Sequence, residues 1–543
     1  MSTMPRFLRS FFILWSVLPA APVAGRAASP TLTYLFPAGA QRGKTVVITA
    51  GGTFDRWPLQ AWSDRKDVEV EAAKDEGKLT VRVSPHAVPG LCWIRLHDAL
   101  GASNLRPFLI GTVPETLEAE PNDEPTKPQL LAALPVVVNG RLEKAGDVDT
   151  FAVRLRKGET LVASLEANRT LASPVDAILQ VLSADGFVLE QNHDDHGLDP
   201  QLLYTAPKDD LYLVRAFGFP AQPDASIRFA GGSTYVYRLT LTTGGFADHA
   251  FPLAVSRADP GPVEVVGWNI PAAAKKLTVK HDILGALTLW HPQLANTLEV
   301  LVEPHRCMVE RELNDPRKPQ SITLPATISG RIDVPGDRDV YEFPAKKGQR
   351  LSFHVAARSI DSQLDPVLRL TDSAGKRIAQ AEVSMARRGR MGEAELSFTV
   401  PQDGAYRLEV RDQTGHGSFR HFYRLRAVFA EPDYVLGVAS DRFVVTPGKP
   451  LSISVTIERR NGFDRDIEIA VVGLPTGVTA APVKSTKTGT SATLRLEGQA
   501  GARSGAIGIV GRVSGQEDHT RLATAPLAGL RALTPHLWLT TAK

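Results

Sequence analysis

The 543-residue sequence is poor in cysteine and nearly balanced in charge. Cys92 and Cys307 are its only cysteines and fall in different candidate domains, so no disulfide framework holds the folds together; whether the two pair stays open. Lys and Arg number 62 against 59 Asp and Glu, which leaves no broad positive field and argues against nucleic-acid binding. With 44 Gly and 39 Pro spread along the chain, long helices are not expected.

Long hydrophobic runs are also absent, apart from one near the N-terminus. Arg6 and Arg9 precede the apolar run 11–18, and small residues follow at 23–28, which is the order of a secretory signal peptide. The alternative is a membrane anchor, but the run is well short of the roughly 20 residues that cross a bilayer. We therefore expect 1–28 to be a cleaved signal, no membrane span, and a secreted, periplasmic or cell-surface location.

An internal repeat organises the rest of the chain. At roughly 150 residues per domain the length predicts three to four domains, and two segments, about 116–245 and 308–429, are copies of one unit. Their shared blocks recur in one order and at nearly constant spacing, which chance does not produce. The matching blocks are Glu118–Asp123 with Glu310–Asp315, Asn139–Arg141 with Ser329–Arg331, Gly146–Phe151 with Gly336–Tyr341, Lys157–Gly158 with Lys347–Gly348, and Asp176–Gly186 with Asp365–Gly375.

Alternating apolar residues predict β-strands in each unit. Phe151, Val153 and Leu155 have the two-residue period of a strand, and Gly186 and Gly375 stand where a hairpin needs positive φ. The predicted fold is all-β, a multi-domain array of antiparallel β-sandwiches, with immunoglobulin-like domains beside the two repeated units. The expected domains after the signal are 29–115, 116–245, 246–307, 308–429 and 430–543.

On these motifs the two units resemble the bacterial pre-peptidase C-terminal domain, a β-sandwich also seen as the collagen-binding domain of secreted collagenases. The resemblance rests on the Glu-x-Glu-x-Asn-Asp opening, the Gly-Asp-x-Asp-x-aromatic block and the Lys-Gly turn, each present twice, and covers a little under half of the chain. Residues 30–115 and 246–305 resemble IPT/TIG-type immunoglobulin-like domains. The first resemblance implies a calcium ion in each unit, bound by the acidic opening and by the Gly-Asp-x-Asp block.

The same residues suit calcium chemically, since this hard cation takes six to eight oxygen ligands at about 2.3–2.6 Å. Glu118, Glu120 and Asn122 alternate, but a straight strand would spread them over about 13 Å, so the segment must curl around the ion. The alternative is a solvated linker with an Asx turn; duplication favours calcium, with Asp147 and Asp337 as further candidates. The predicted ligands are Glu118, Glu120, Asn122, Asp123 and Asp149 in the first unit, and Glu310, Glu312, Asn314, Asp315 and Asp339 in the second.

A competing metal candidate is the segment His193–His196, whose imidazoles and carboxylates could bind zinc or another transition metal. Its counterpart in the second unit, 382–390, has no such ligand set, so a polar hairpin tip is expected instead. Arg387, Arg388 and Arg390 in that counterpart predict a solvated loop first and an anion-binding patch second.

Catalytic motifs are missing from the sequence. No Gly-x-Ser-x-Gly, His-Glu-x-x-His, phosphate loop or dinucleotide fingerprint occurs, and small β domains leave no stretch of about 200 residues for a peptidase. The sequence predicts an exported, non-enzymatic binding or structural protein that engages an extracellular polysaccharide or protein polymer. The alternative is an accessory or targeting component of a secreted peptidase or other hydrolase system. Tyr235 and Tyr237 fit core packing and a binding platform equally well.

Overall fold

The computed structural model describes residues 28–222, 228–279, 284–382, 393–513, 516–530 and 532–542. Residues 1–27 of the expected signal peptide, and the arginines at 387, 388 and 390, lie outside the described residues. The described chain is nearly all β, with helical turns at Asn168–Leu171, Ala272–Ala274 and Arg358–Ile360, which confirms the predicted fold class. No helix within these ranges is long and apolar enough to cross a membrane.

Strands and buried side chains form five main groups, which we call modules 1 to 5. The modules span 31–111, 115–242, 246–303, 306–429 and 433–541, and each has a hydrophobic core of its own. In module 2, Phe151, Val153 and Leu155 all point into that core, as their two-residue period predicts. The two cysteines are free thiols in modules 1 and 4.

Modules 1 and 3 are small two-sheet sandwiches. The sheets of module 1 contain Thr31–Phe36, Thr45–Thr53, Lys78–Val83 and Val68–Ala72, and Gly39–Gln41, Arg106–Gly111, Gly90–His97 and Gln60–Ser63. Those of module 3 contain Phe246–Phe251, Pro262–Trp268 and Lys276–Thr278, and Ala254–Ser256, Leu298–Glu303 and Gly285–Leu289.

Modules 2 and 4 are five-on-five sandwiches with the same strand order, so the repeat in sequence is also a repeat in topology. The sheets of module 2 contain Gln129–Leu130, Asp149–Leu155, Asp210–Pro220, Val175–Ser183 and Val188–Asn192, and Gln201–Thr205, Thr160–Glu166, Val236–Thr242, Val136–Arg141 and Glu115–Leu117. Those of module 4 contain Gln320–Ser321, Arg338–Ala345, Gly404–Asp412, Pro366–Asp372 and Arg377–Glu382, and Ala394–Thr399, Arg350–Ala356, Phe422–Phe429, Ala326–Arg331 and Arg306–Val309. Gly186 and Gly375 have positive φ in the predicted hairpins.

Module 5 is a larger network of eleven strands. It contains Arg442–Val445, Leu537–Thr541, Gly505–Val513, Gln516–Pro526, Asp433–Val438, Leu451–Arg460, Ser491–Gly498 and Val478–Ala480 in order, with Ile467–Val472, Val483–Ser485 and Leu533–Thr534 attached at its sides.

The chain closes on itself because module 5 packs against module 1. Arg95, which is fully buried, forms an ion pair with Asp441 and also donates to its carbonyl oxygen at 3.3 Å. The ring of Trp538 lies 4.4 Å from that of His97 and 6.0 Å from that of Trp62. A cavity of about 2390 Å³ lies between the modules and is lined by residues from all five.

A second contact between distant modules corrects an expectation from the sequence. The guanidinium of Arg420 in module 4 binds both carboxylate oxygens of Asp195 at 2.9 and 2.8 Å, and donates to Asp248 of module 3 at 2.9 Å. Although His193 is exposed, the Asp195 side chain is only 7% exposed. The segment is therefore not simply a polar hairpin tip, since its Asp195 pairs with an arginine of module 4 that also binds module 3.

Candidate metal centre

The acidic opening of module 2 leaves strand Glu115–Leu117 and turns sharply. The backbone N–H of Glu118 donates to the Asn139 carbonyl at 3.1 Å, and the Asn122 carbonyl accepts from the Thr150 N–H at 3.1 Å. Between these anchors the Glu120 carboxylate accepts from the Asn122 N–H at 3.0 Å. The segment is thus curled against the strand that begins at Asp149, with the non-extended shape that shared coordination would require.

Three carboxylates of module 2 meet at this curl. One oxygen each of Glu120, Asp123 and Asp147 lie within 4.8 Å of one another. Asp147 is fully buried, and burial raises its pKa. The Asp147 side chain also accepts a hydrogen bond from the Glu143 N–H, which fixes its direction. We call Glu120, Asp123 and Asp147 the outer triad of module 2.

A second pair of carboxylates lies deeper, around one phenol. The hydroxyl of Tyr237 lies 3.1 Å from Glu118 Oε2 and 2.6 Å from Asp149 Oδ2, and Glu118 also accepts from the Arg141 N–H at 2.8 Å. Burial raises the pKa of Glu118 to about 7 and that of Asp149 well above its usual range. A single hydroxyl proton cannot neutralise two carboxylates, so this inner pair favours a proton or a cation.

Several acceptor atoms at the site have no donor. Within the described residues, Oδ1 of Asp123, Asp147 and Asp149 is buried without a hydrogen-bond partner, as is Oδ1 of the fully buried Asn122. Burying such groups without partners is costly, and native proteins rarely do so. These partnerless oxygens are the atoms that a bound cation would contact.

Module 4 repeats the inner pair. Glu310 and Asp339 flank the hydroxyl of Tyr423 at 3.5 and 2.6 Å, and the Arg331 N–H donates to Glu310 at 2.7 Å. Burial raises the pKa of Glu310 to about 10 and that of Asp339 to about 7. Here Tyr341 replaces a phenylalanine of module 2, and its hydroxyl lies 2.6 Å from that of Tyr423.

The outer carboxylates of module 4 are arranged differently. Glu312 takes part in two groups whose oxygens lie within 4.8 Å, one with Glu310 and Asp333 and the other with Asp337 and Asp339. Within the described residues, Asp339 Oδ1 is buried without a partner. The further candidates Asp147 and Asp337 therefore both lie at the clusters.

Asp315, a predicted ligand, belongs to neither group in the described part of the chain. Its Oδ1 instead accepts from the N–H groups of Arg317 and Lys318 at 2.8 and 3.0 Å. This is the Asx-type turn that the sequence left open as an alternative. Asn314, beside it, is buried, and its Nδ2 has no partner in the described structure.

Sequence reasoning missed the tyrosines and Asp333. For Tyr237 the sequence allows core packing or a binding surface, and the structure shows that this residue lies in the interior and contacts the inner pair. The available signal was a further repeat, because Tyr237-Arg-Leu recurs as Tyr423-Arg-Leu at matching positions. The matched glycines also have a role: a Cβ on Gly140 would lie 2.2 Å from the Tyr237 oxygen and 2.5 Å from Glu118.

The site touches the preceding module through an arginine. The Arg141 guanidinium lies 5.0 Å above the ring of Phe36 in module 1, and that of Arg331 lies 4.5 Å above Phe251 in module 3. The backbone N–H of each arginine binds the inner glutamate, as described above. Each acidic cluster is therefore connected to the surface on which the preceding module packs.

The donor set fits calcium. It is built from carboxylate and amide oxygens, with no cysteine or histidine in the three-residue groups found among the described residues, and hard oxygen ligands suit Ca²⁺ more than zinc. In module 2, the residues that would hold the ion are Glu118, Glu120, Asn122, Asp123, Asp147 and Asp149. In module 4, they are Glu310, Glu312, Asn314, Asp333, Asp337 and Asp339.

Comparisons with known proteins give similarity to solved structures only. No family model and no curated protein matches the chain. A pre-peptidase C-terminal domain of collagenase from Bacillus anthracis is 22% identical over 20% of this chain and 92% of its own, with a TM-score of 0.16. PliG, a periplasmic inhibitor of g-type lysozyme from Aeromonas hydrophila, is 12% identical over 23% and 98%, with a TM-score of 0.16. The M60 catalytic domain of Clostridium perfringens ZmpB with its two CBM51 domains is 10% identical over 77% and 56%, with a TM-score of 0.15.

Proposed function

We propose that this chain is an exported, non-catalytic structural and binding protein whose modules 2 and 4 each bind one calcium ion. The observation that carries the proposal is the duplicated cluster of buried carboxylate and amide groups, several of which have no hydrogen-bond donor in the described structure. Bound calcium would supply the positive charge that these groups lack.

Calcium would also stabilise the junctions between modules. The inner glutamate of each site accepts from the backbone of Arg141 or Arg331, and the guanidinium of the same arginine packs on Phe36 or Phe251. An ion that holds the glutamate therefore holds the strand that carries the arginine. The orientation of module 1 on module 2, and of module 3 on module 4, would then depend on calcium.

The binding part of the proposal is supported by an exposed apolar strand. Val188–Asn192 is an edge strand of module 2, and Phe187 just before it is 71% exposed, with Val188 and Leu189 also exposed. Exposed apolar edges are unusual unless something covers them. We propose that this edge contacts an extracellular polysaccharide or protein polymer.

The calcium proposal is tested by thermal unfolding of the full chain with calcium and after metal removal. Calcium at a hundredfold excess over its Kd should stabilise the native state by about 2.7 kcal/mol. Glu120→Ala with Glu312→Ala should abolish that shift. Glu190→Ala with Glu382→Ala, which alters exposed carboxylates in the same two modules, should retain it. An unchanged midpoint in the natural chain would refute the calcium assignment.

The binding surface is tested by co-sedimentation with insoluble collagen fibres, chitin and cellulose. Phe187→Asp should reduce retention on whichever polymer binds the natural chain. The equivalent edge of module 4, Arg377–Glu382, starts with a polar residue, so Ile378→Asp serves as the matched control and should have little effect. Equal retention of all three chains would exclude this edge.

A further inference from the structure

We propose that Lys144 is a built-in competitor for calcium in module 2, so that the site in module 4 is the tighter of the two and fills first. This inference rests on the proposed function and concerns the regulation of the same sites. It arises from a difference between two copies that otherwise share their topology and inner pair.

The side chain of Lys144 points at the outer triad of module 2. Its Nζ lies 3.3 Å from Asp123 Oδ2 and 3.8 Å from Asp147 Oδ1, so one ammonium contacts two of the three carboxylates. The lysine side chain is 67% exposed. It can therefore move into solvent when a divalent ion binds, but it must then give up both contacts.

The matching position in module 4 has no charge. Counting from the shared Gly-Arg pair, Lys144 corresponds to Val334, which is 60% exposed. The nearby cations of module 4 have other partners, since Arg338 pairs with Glu409 and the Arg331 guanidinium lies above Phe251. Arg331 does approach Asp333 at 3.4 Å, but it contacts only that one carboxylate of the cluster.

Module 4 brings a different carboxylate to its cluster, since Asp333 takes part there and, within the described residues, Asp315 does not. Asp333 lies within 4.8 Å of Glu310 and Glu312. Its counterpart in module 2 is Glu143, whose carboxylate instead pairs with Arg141 at 2.6 Å. The two ligand sets thus contain equal numbers of carboxylates, and because net charge at the site sets calcium affinity, the ammonium of Lys144 is the difference that favours module 4.

A feature independent of the carboxylates supports a cation ligand at the cluster of module 2. Asn122 and its counterpart Asn314 are both almost completely buried, and Oδ1 of Asn122 has no hydrogen-bond partner in the described structure. An asparagine side chain is neutral, so the acidic character of these segments does not explain why the two asparagines are buried. A cation bound at the cluster of module 2 would contact the buried, partnerless Oδ1 of Asn122.

The consequence is a graded response to calcium. At concentrations between the two dissociation constants, the junction of modules 3 and 4 would be fixed while that of modules 1 and 2 would still move. Removing the lysine ammonium from beside a divalent ion should lower the calcium Kd of that site by about tenfold at low ionic strength. The change should be smaller in high salt, which screens the charges.

The test is calcium titration calorimetry on full-length chains in which one site is silenced. Asp339→Asn leaves the module 2 site and Asp149→Asn leaves the module 4 site. We expect the module 4 site to bind at least about tenfold more tightly. Lys144→Val should then tighten the module 2 site, and Val334→Lys should weaken the module 4 site, each by about tenfold.

Both swapped residues are exposed, so these substitutions should leave the fold intact, which circular dichroism verifies. Lys144→Arg keeps the charge and should leave the Kd of module 2 nearly unchanged. Two sites of equal Kd that do not respond to either swap would overturn this inference alone. Absence of calcium binding in both single-site chains would overturn the proposed function instead.

Discussion

Removal of calcium should reverse the direction in which the stability of modules 2 and 4 changes with pH. In the metal-free chain, burial raises the pKa of Glu118 to about 7 from its reference of 4.5. The folded state then holds a proton more tightly than the unfolded state. The associated stability is fully present below about pH 4.5 and is lost as pH rises to about 7.

The magnitude follows from the size of that shift. At about 1.4 kcal/mol per pKa unit, the shift of Glu118 alone should cost module 2 about 3 kcal/mol of stability as the pH rises from 4.5 to 7. Asp339 is raised from 3.8 to about 7, so module 4 should behave in the same way. Calcium bound to the ionised groups removes this penalty, and its affinity increases as protons cease to compete.

Hydrogen exchange measured by mass spectrometry resolves the two modules. Peptides from strands Asp149–Leu155 and Arg338–Ala345 report each inner pair directly. Without metal, their protection should fall from pH 5 to 8 after correction for intrinsic exchange, and with calcium it should rise. Glu118→Gln mimics the protonated form and should flatten the metal-free trend in module 2 only. Metal-free protection that increases with pH in both strands would refute the reasoning.

Three further predictions concern the cluster and the contacts between modules. Gly140→Ala places a Cβ against the inner pair, so it should destabilise module 2 by about 1–3 kcal/mol in urea unfolding and weaken calcium binding. Arg95→Met removes the buried partner of Asp441, which keeps only its ion pair with the more exposed Arg442 at 3.3 Å, and should cost up to about 3 kcal/mol in the same assay, while adding Asp441→Leu should restore part of it. Arg420→Gln removes the cation between two buried aspartates and should increase the radius of gyration in solution scattering; an unchanged radius would show that other contacts are sufficient.

The repeat and the alternating pattern were sufficient to predict the all-β fold. They are local signals: Phe151, Val153 and Leu155 show the strand within seven residues, and Glu118–Asp123 can be compared with its copy without knowing any contact. The curl of that segment also followed from the reach of a chain, because alternate ligands on a straight strand are too far apart.

The contacts between modules could not be found in this way. Arg95 pairs with a residue 346 positions later, and Arg420 with one 225 positions earlier. Each joins modules that are far apart in the sequence, and a lone arginine carries no sign of its partner. The same limit applies to the ion pair of Asp195, because the corresponding segment of the second unit, 382–390, contains no aspartate to compare it with.

The contact between each repeated sandwich and the module before it is also repeated, so the duplicated unit is larger than one sandwich. Phe36-Pro37 of module 1 and Phe251-Pro252 of module 3 occupy the same place against Arg141 and Arg331. A repeat limited to the sandwiches would leave no reason for the preceding modules to offer the same aromatic ring. The duplicated unit is therefore a pair of modules, in which the acidic cluster, the arginine and the aromatic ring form one continuous set of contacts. If the sites bind calcium as proposed, Lys144→Val should then change how one pair responds to the ion and, with it, how firmly its two modules are held together.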